Sequence, residues 1–151
     1  MSRERGQTLV EFAIVIPLVL LLFMGVFDFG RAIYAYNSVS NAAREGSRTA
    51  IVNQNVNDIT NRAADQATAL GLDRTSASCS AESGVCVSFK EADLSADCSA
   101  LAPGCVAVVT AKYTFHAITP IISAIVNSLV VSSTSKQPIE SVCTGGGCPI
   151  P

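Results

Sequence analysis

Six cysteines, one histidine and one carboxylate set in an apolar run are the residues whose types and spacing could do chemistry. The cysteines are Cys79, Cys86, Cys98, Cys105, Cys143 and Cys148, with gaps of 6, 11, 6, 37 and 4 residues between them. Two chemistries suit such a set. A zinc ribbon typically needs C-x2-C to place two thiolates on one ion, and no pair here has that spacing. An even number of cysteines in a short chain reads instead as a disulfide framework formed in an oxidising compartment. Many connectivities are possible, and the favoured set is local: Cys79–Cys86, Cys98–Cys105 and Cys143–Cys148. Short loops close most readily, and these pairs bracket the turn-formers Ser83-Gly84, Pro103-Gly104 and Gly145-Gly146-Gly147. An even count also argues against a free, activated thiol.

His116 is the sole histidine and lies at the end of a strand-like run, beside Phe115, without an acidic neighbour at triad or ligand spacing. No Gly-x-Ser-x-Gly occurs. The glycine run Gly145–Gly147 lacks the following helix that a phosphate loop requires. Glu45 and Arg48 read as a surface ion pair. The expectation is a protein that is not an enzyme and that holds no cofactor and no metal.

Glu11 is the anomaly. A carboxylate within an apolar helix costs on the order of a few kcal/mol at mid-membrane, less near the interface, and by default marks function. Two readings stay open. Glu11 can snorkel into the headgroups. Alternatively, a peptidase cuts after Gly6, and Glu11 becomes the fifth residue of a chain that begins at Gln7. Its carboxylate could then neutralise the new terminal ammonium of a neighbouring subunit, and the pair would fix the register between subunits.

These residues need elements to position them. Phe12 to Phe27 is a run of sixteen residues without a charge, and Thr8 to Phe27 just reaches the roughly 20 residues that cross a bilayer. A cleaved signal peptide has an apolar region of only ~7–15 residues and a small-x-small site, which this segment lacks. Arg3 and Arg5 precede the run, favouring a cytoplasmic N-terminus. The cysteines place the rest of the chain on the oxidising side. Asp28 and Arg31 follow, three apart on one helical face, where they can pair at the far interface.

The helix continues past the membrane. From Ala32 to Ala50 there is no proline and one glycine, Gly46, with small or apolar residues at Ala32, Ala35, Tyr36, Val39, Ala42, Ala43, Gly46 and Ala50. One helix of about 45 residues follows from that spacing, in which Pro17 either introduces a kink or is simply tolerated. Asn57 or Asp58 caps a second helix to Leu70, with Ile59, Ala63, Ala67 and Leu70 inward and Gly71 as its stop. Val85–Phe89 is a short strand candidate. Val106–Phe115 is the clearest strand, its odd positions apolar and its even positions increasingly polar after Val108. A short helix from Ile121 to Asn127 and a strand from Leu129 to Ser135 complete an α+β unit, helices on one face of a small antiparallel sheet.

Composition agrees with one domain on an anchor. The 151 residues suit a single domain of ~100–200 residues. Hydrophobic residues make up 49% and charged residues only 15%, against ~25% in a typical soluble domain. The net charge is −2 with no basic cluster, which argues against nucleic-acid binding. The expected organisation is a cytoplasmic leader at 1–6, a transmembrane helix at 7–30 and its extracytoplasmic continuation at 31–52. An α+β domain at 53–142 and a disulfide-pinned tail at 143–151 follow.

Arg5-Gly6-Gln7-Thr8-Leu9-Val10-Glu11-Phe12 resembles the processing site of type IV pilin-like proteins, in which glycine precedes the cleaved bond. The longer string through Pro17, Gly25-Val26-Phe27-Asp28-Phe29-Gly30-Arg31 and Asn41-Ala42-Ala43-Arg44-Glu45-Gly46-Ser47-Arg48 is similar to the TadE-like family. Val106–Phe115 and Ser132–Ser135 resemble that family's closing strands. Members are pilin-like minor subunits of tight-adherence (Tad, or Flp) pilus systems. The resemblance implies a pseudopilin or minor pilin that contributes to pilus assembly. Its implied partners are a prepilin peptidase, other TadE- and TadF-like subunits, the Flp-type major pilin, the Tad inner-membrane machinery and the lipid bilayer. Pilins typically begin with an aromatic residue after processing, and Gln7 departs from that pattern. The second function consistent with these residues is an uncleaved, membrane-anchored binding or adhesin-like module.

Overall fold

The computed structural model describes residues 4–74, 83–125 and 127–143. Helix α1 (Glu4–Val52) is followed by α2 (Val56–Asp65), a 3-10 turn (Thr68–Leu70), strands β1 (Gly84–Lys90) and β2 (Val106–Phe115), α3 (Pro120–Ile125) and β3 (Leu129–Pro138). The fold is α+β, with the three strands in one antiparallel sheet of order β1-β2-β3. The chain groups into two compact units. The first combines Met1–Ile33 with His116–Leu129, and the second combines Tyr34–Phe115 with Val130–Pro151.

In the second unit the core follows the sequence periodicities. β2 buries Ala107, Val109, Ala111 and Phe115 on one face and leaves its even positions partly exposed, the period of two that a half-covered sheet imposes. β1 pairs with β2 with Cys86 opposite Thr110 and Val87 opposite Val109. α1 buries Ala35, Val39, Ala42, Ala43 and Ala50 at three-to-four spacing, and it meets this face at Gly46 beside Val109. Tyr36, expected on the same side of the helix, is exposed. Small residues let the elements approach closely, and Gly46 marks the closest point. A Cβ there would lie 2.9 Å from Val109 Cγ1, 3.1 Å from Ala63 and 3.6 Å from Ile59 Cγ2. Helix, helix and sheet therefore meet at a position where only hydrogen fits.

α2 differs from its expected limits at both ends. Its cap is Asn55, whose side chain accepts from the Asn57 N–H, so it begins ahead of Asn57 and Asp58. Asp58 is used otherwise: Asn53 Nδ2 donates to its carboxylate at 2.9 Å, while Asn53 Oδ1 accepts from the Asn55 N–H. The helix ends at Asp65 rather than Leu70, as the ladder tightens into i→i−3 bonds from Ala67 to Ala64 and from Leu70 to Ala67. Ala67 and Leu72 are both buried. On an uninterrupted helix they would point about 140° apart, so the break lets both reach the core and leaves Leu70 only half-buried. Gly71 stops the turn in the left-handed region at φ +60.

The end of α1 is closed by polar groups. Gln54, 3% exposed, donates from Nε2 to the carbonyls of Ala50 and Ser141 and accepts from the Cys143 N–H at 2.7 Å. Its backbone N–H bonds the Cys143 carbonyl, and the N–H groups of Glu140 and Ser141 bond the carbonyl of Ile51. Ser47 and Ser135 share a hydrogen bond of 2.8 Å between their hydroxyls. Carbonyls that a helix end leaves unpaired are thus met by the C-terminal segment.

Candidate functional site

Helix α1 already includes Gly6 and Gln7, so the bond between them lies in the first turns, where backbone N–H groups have no partner four residues back. Gln7 Nε2 donates to Glu11 Oε1 at 3.3 Å, one turn along the same face. Among the described residues nothing covers the helix around this pair: Leu9, Phe12, Leu18 and Leu22 are each more than 60% exposed. Among the described residues α1 is the one helix long and apolar enough to cross a membrane, and it fits a membrane anchor. Glu11 is therefore a carboxylate on an uncovered apolar surface, held by a side-chain amide of its own chain.

The second constellation stands at the other end of the uncharged run. Asp28 is buried, 4% exposed, although the apolar residues flanking it are not. Its two oxygens accept from the Ile118 N–H at 3.1 and 3.0 Å, and Oδ2 accepts from the Thr119 N–H at 2.8 Å. Arg31 Nη1 donates to Oδ1 at 3.3 Å. The Arg31 pairing was legible in the sequence, whereas the two backbone donors were missed. Thr119-Pro120 is the signal that could have found them. Threonine before a helix-initial proline marks a helix start, whose neighbouring N–H groups need an outside acceptor. Within the same unit, Ile122 Cδ1 lies 4.0 Å from where a Cβ on Gly25 would sit, one turn along α1 from Asp28.

Of the cysteines, Cys98 and Cys105 are joined, with their Cα atoms 6.3 Å apart. The loop between them turns at Gly104, whose φ of +105 suits glycine, and the Cys105 N–H bonds the Ala102 carbonyl. Cys86, buried in β1, and Cys143 are disulfide-bonded as well. Cys79 and Cys148 lie outside the described residues, as do the first three residues and 144–151 of the tail. His116 is exposed just after β2, and Glu45 pairs with Arg48 at 3.7 Å.

One helix that fits a membrane anchor, followed in the chain by a small disulfide-bonded α+β unit, defines the class to which this fold belongs. Within that class, the family model of the TadE-like proteins matches residues 6–48, the stretch that carries Gly6, Gln7, Glu11, Asp28 and Gly46. The match agrees with the resemblance read from the sequence and leaves residues 49–151 uncovered. No curated protein and no solved structure matches the chain.

Proposed function

We propose that this chain is a TadE-like pseudopilin or minor pilin, a membrane-anchored structural subunit that contributes to assembly of a Tad pilus and performs no catalysis. The observation that carries the reading is the family match at residues 6–48, which includes Gly6 and Glu11, with Glu11 on an exposed apolar stretch of α1. A prepilin peptidase removes residues 1–6 on the cytoplasmic side. Cleavage leaves the Gln7 ammonium at the positive end of the α1 dipole, where a positive charge is least favourable. The Glu11 carboxylate of a neighbouring subunit neutralises it, and the pairing sets the register as lipid contacts are exchanged for helix contacts. The disulfide-bonded unit faces the extracytoplasmic side, and the partners are other pilin-like subunits and the inner-membrane assembly machinery.

The test is genetic and biochemical. In host cells, deletion of the gene is expected to abolish or reduce surface pili. Re-expression of Glu11→Gln should restore a processed protein but not full piliation. Wild-type piliation after deletion would overturn the proposal and favour an anchored binding module.

A further inference from the structure

We infer that residues 116–125, which follow β2, together with Leu129 at the start of β3, form a second membrane-contacting element, seated at the headgroup–acyl boundary beside α1. The inference rests on reading α1 as a membrane anchor. From Tyr113 to Ser135 the sequence contains no Asp, Glu, Lys or Arg, the longest such stretch outside the anchor itself. Ile118 is 68% exposed and Leu129 49% exposed, so the segment shows apolar surface outward.

Its position along α1 sets its depth. Ile118 and Thr119 meet Asp28, the first charged residue after the uncharged run of α1. Ile122 reaches Gly25, about 4.5 Å further into that run at 1.5 Å per residue. The segment therefore descends along α1 from the Asp28 level toward the lipid side.

Its backbone is prepared for such a place. In hydrocarbon or at its edge, N–H groups must find partners within the protein, whereas a loop in water leaves them to solvent. Here the N–H groups of Ile118 and Thr119 are taken by Asp28, Pro120 has none, and the Ser123 N–H bonds the Thr119 carbonyl. The Ser123 hydroxyl donates to the Pro120 carbonyl. An uncharged segment with apolar residues outward, whose Ile118, Thr119 and Ser123 N–H groups are met within the protein, matches the boundary between headgroups and acyl chains.

The chain has no tryptophan, which allows a direct test. The full-length protein carrying one of Ile118→Trp, Leu129→Trp, Leu20→Trp or Asn61→Trp is reconstituted at low protein density in phosphatidylcholine vesicles. Emission is compared with and without bromines placed shallow on the acyl chains. Leu20 reports on the anchor and Asn61 on the exposed face of α2. Ile118→Trp and Leu129→Trp are expected to emit to the blue of Asn61→Trp and to lose most of their emission in brominated lipid. If Leu20→Trp is quenched while both segment reporters stay red-shifted and unquenched, the segment is in water and the inference fails, with the anchor intact. Blue-shifted but unquenched segment reporters would show cover by protein, which also overturns it. An unquenched Leu20→Trp would remove the anchor reading and the inference together.

Discussion

Asp28 accepts a 2.8 Å hydrogen bond from the backbone N–H of Thr119, 91 residues further along the chain, and the same carboxylate holds the Ile118 N–H. The charged residue that ends the apolar run of α1 thereby fixes the start of α3. A carboxylate that accepts two backbone donors and one guanidinium bond is worth more than an exposed ion pair.

Asp28→Ala should therefore destabilise residues 116–125 by about 1–3 kcal/mol, because it strands two N–H groups. Asp28→Asn keeps an acceptor and should cost less. Hydrogen exchange of the Ile118 and Thr119 amides in detergent or nanodisc samples checks this, with fast exchange expected only in the variants. Arg31→Ala, which removes a half-exposed partner, should change the exchange little.

Gly46 is the second sensitive position. Gly46→Ala places a methyl 2.9 Å from Val109 Cγ1 and 3.1 Å from Ala63 Cβ, so neighbours must shift at a cost of about 1–3 kcal/mol. Thermal unfolding should show a lowered midpoint, and adding Val109→Ala should recover part of it. Additivity of the two losses would contradict the packing described.

Gln54→Leu keeps much of the volume but leaves the Cys143 N–H and the Ser141 carbonyl without their side-chain partner. The expected loss is about 1–3 kcal/mol. Proteolysis after residue 139 should quicken in the variant while the sheet stays protected.

Asp93 reports on the loop after β1. The Ser95 backbone N–H at 3.0 Å, with the Ser95 hydroxyl at 2.7 Å, holds the Asp93 carboxyl below its ordinary value of 3.8. A lowered pKa in the folded state contributes stability above the ordinary aspartate range, and that stability is lost as the pH falls through the lowered value. Carboxyl chemical shifts followed through acid should show Asp93 titrating below a free aspartate. Ser95→Ala should raise its midpoint while leaving the backbone donor in place.

Cys98→Ser with Cys105→Ser should lower stability by about 2–3 kcal/mol if loop closure in the unfolded chain dominates. Unfolding in urea, with the other cysteines left oxidised, measures it.

The elements built on local periodicity were legible in the sequence. The uncharged run to Phe27, the absence of proline after Ala32 and the alternation in Val106–Phe115 gave α1 and β2 nearly to their ends. β1 extends one residue beyond each expected limit, and β3 runs to Pro138 instead of Ser135. The short helix runs Pro120–Ile125: it starts one residue ahead of Ile121, because Pro120 occupies its first turn, and ends at Ile125 rather than Asn127. What could not be read were bonds between distant residues. Asp28 with Thr119 and Gln54 with Cys143 have no periodic signature, since each partner looks locally like an ordinary polar residue. The cap of α2 was misplaced for a related reason: three asparagines lie within Asn53–Asn57, and only the folded chain assigns one to the cap and another to Asp58.

The most direct measurement is the mass of the intact protein and of its N-terminal peptide, taken from host membranes under non-reducing conditions. The expected chain begins at Gln7, and cells without the prepilin peptidase should yield it uncut. A wild-type chain that retains Gly6 would contradict the pilin reading, whatever else the fold supports.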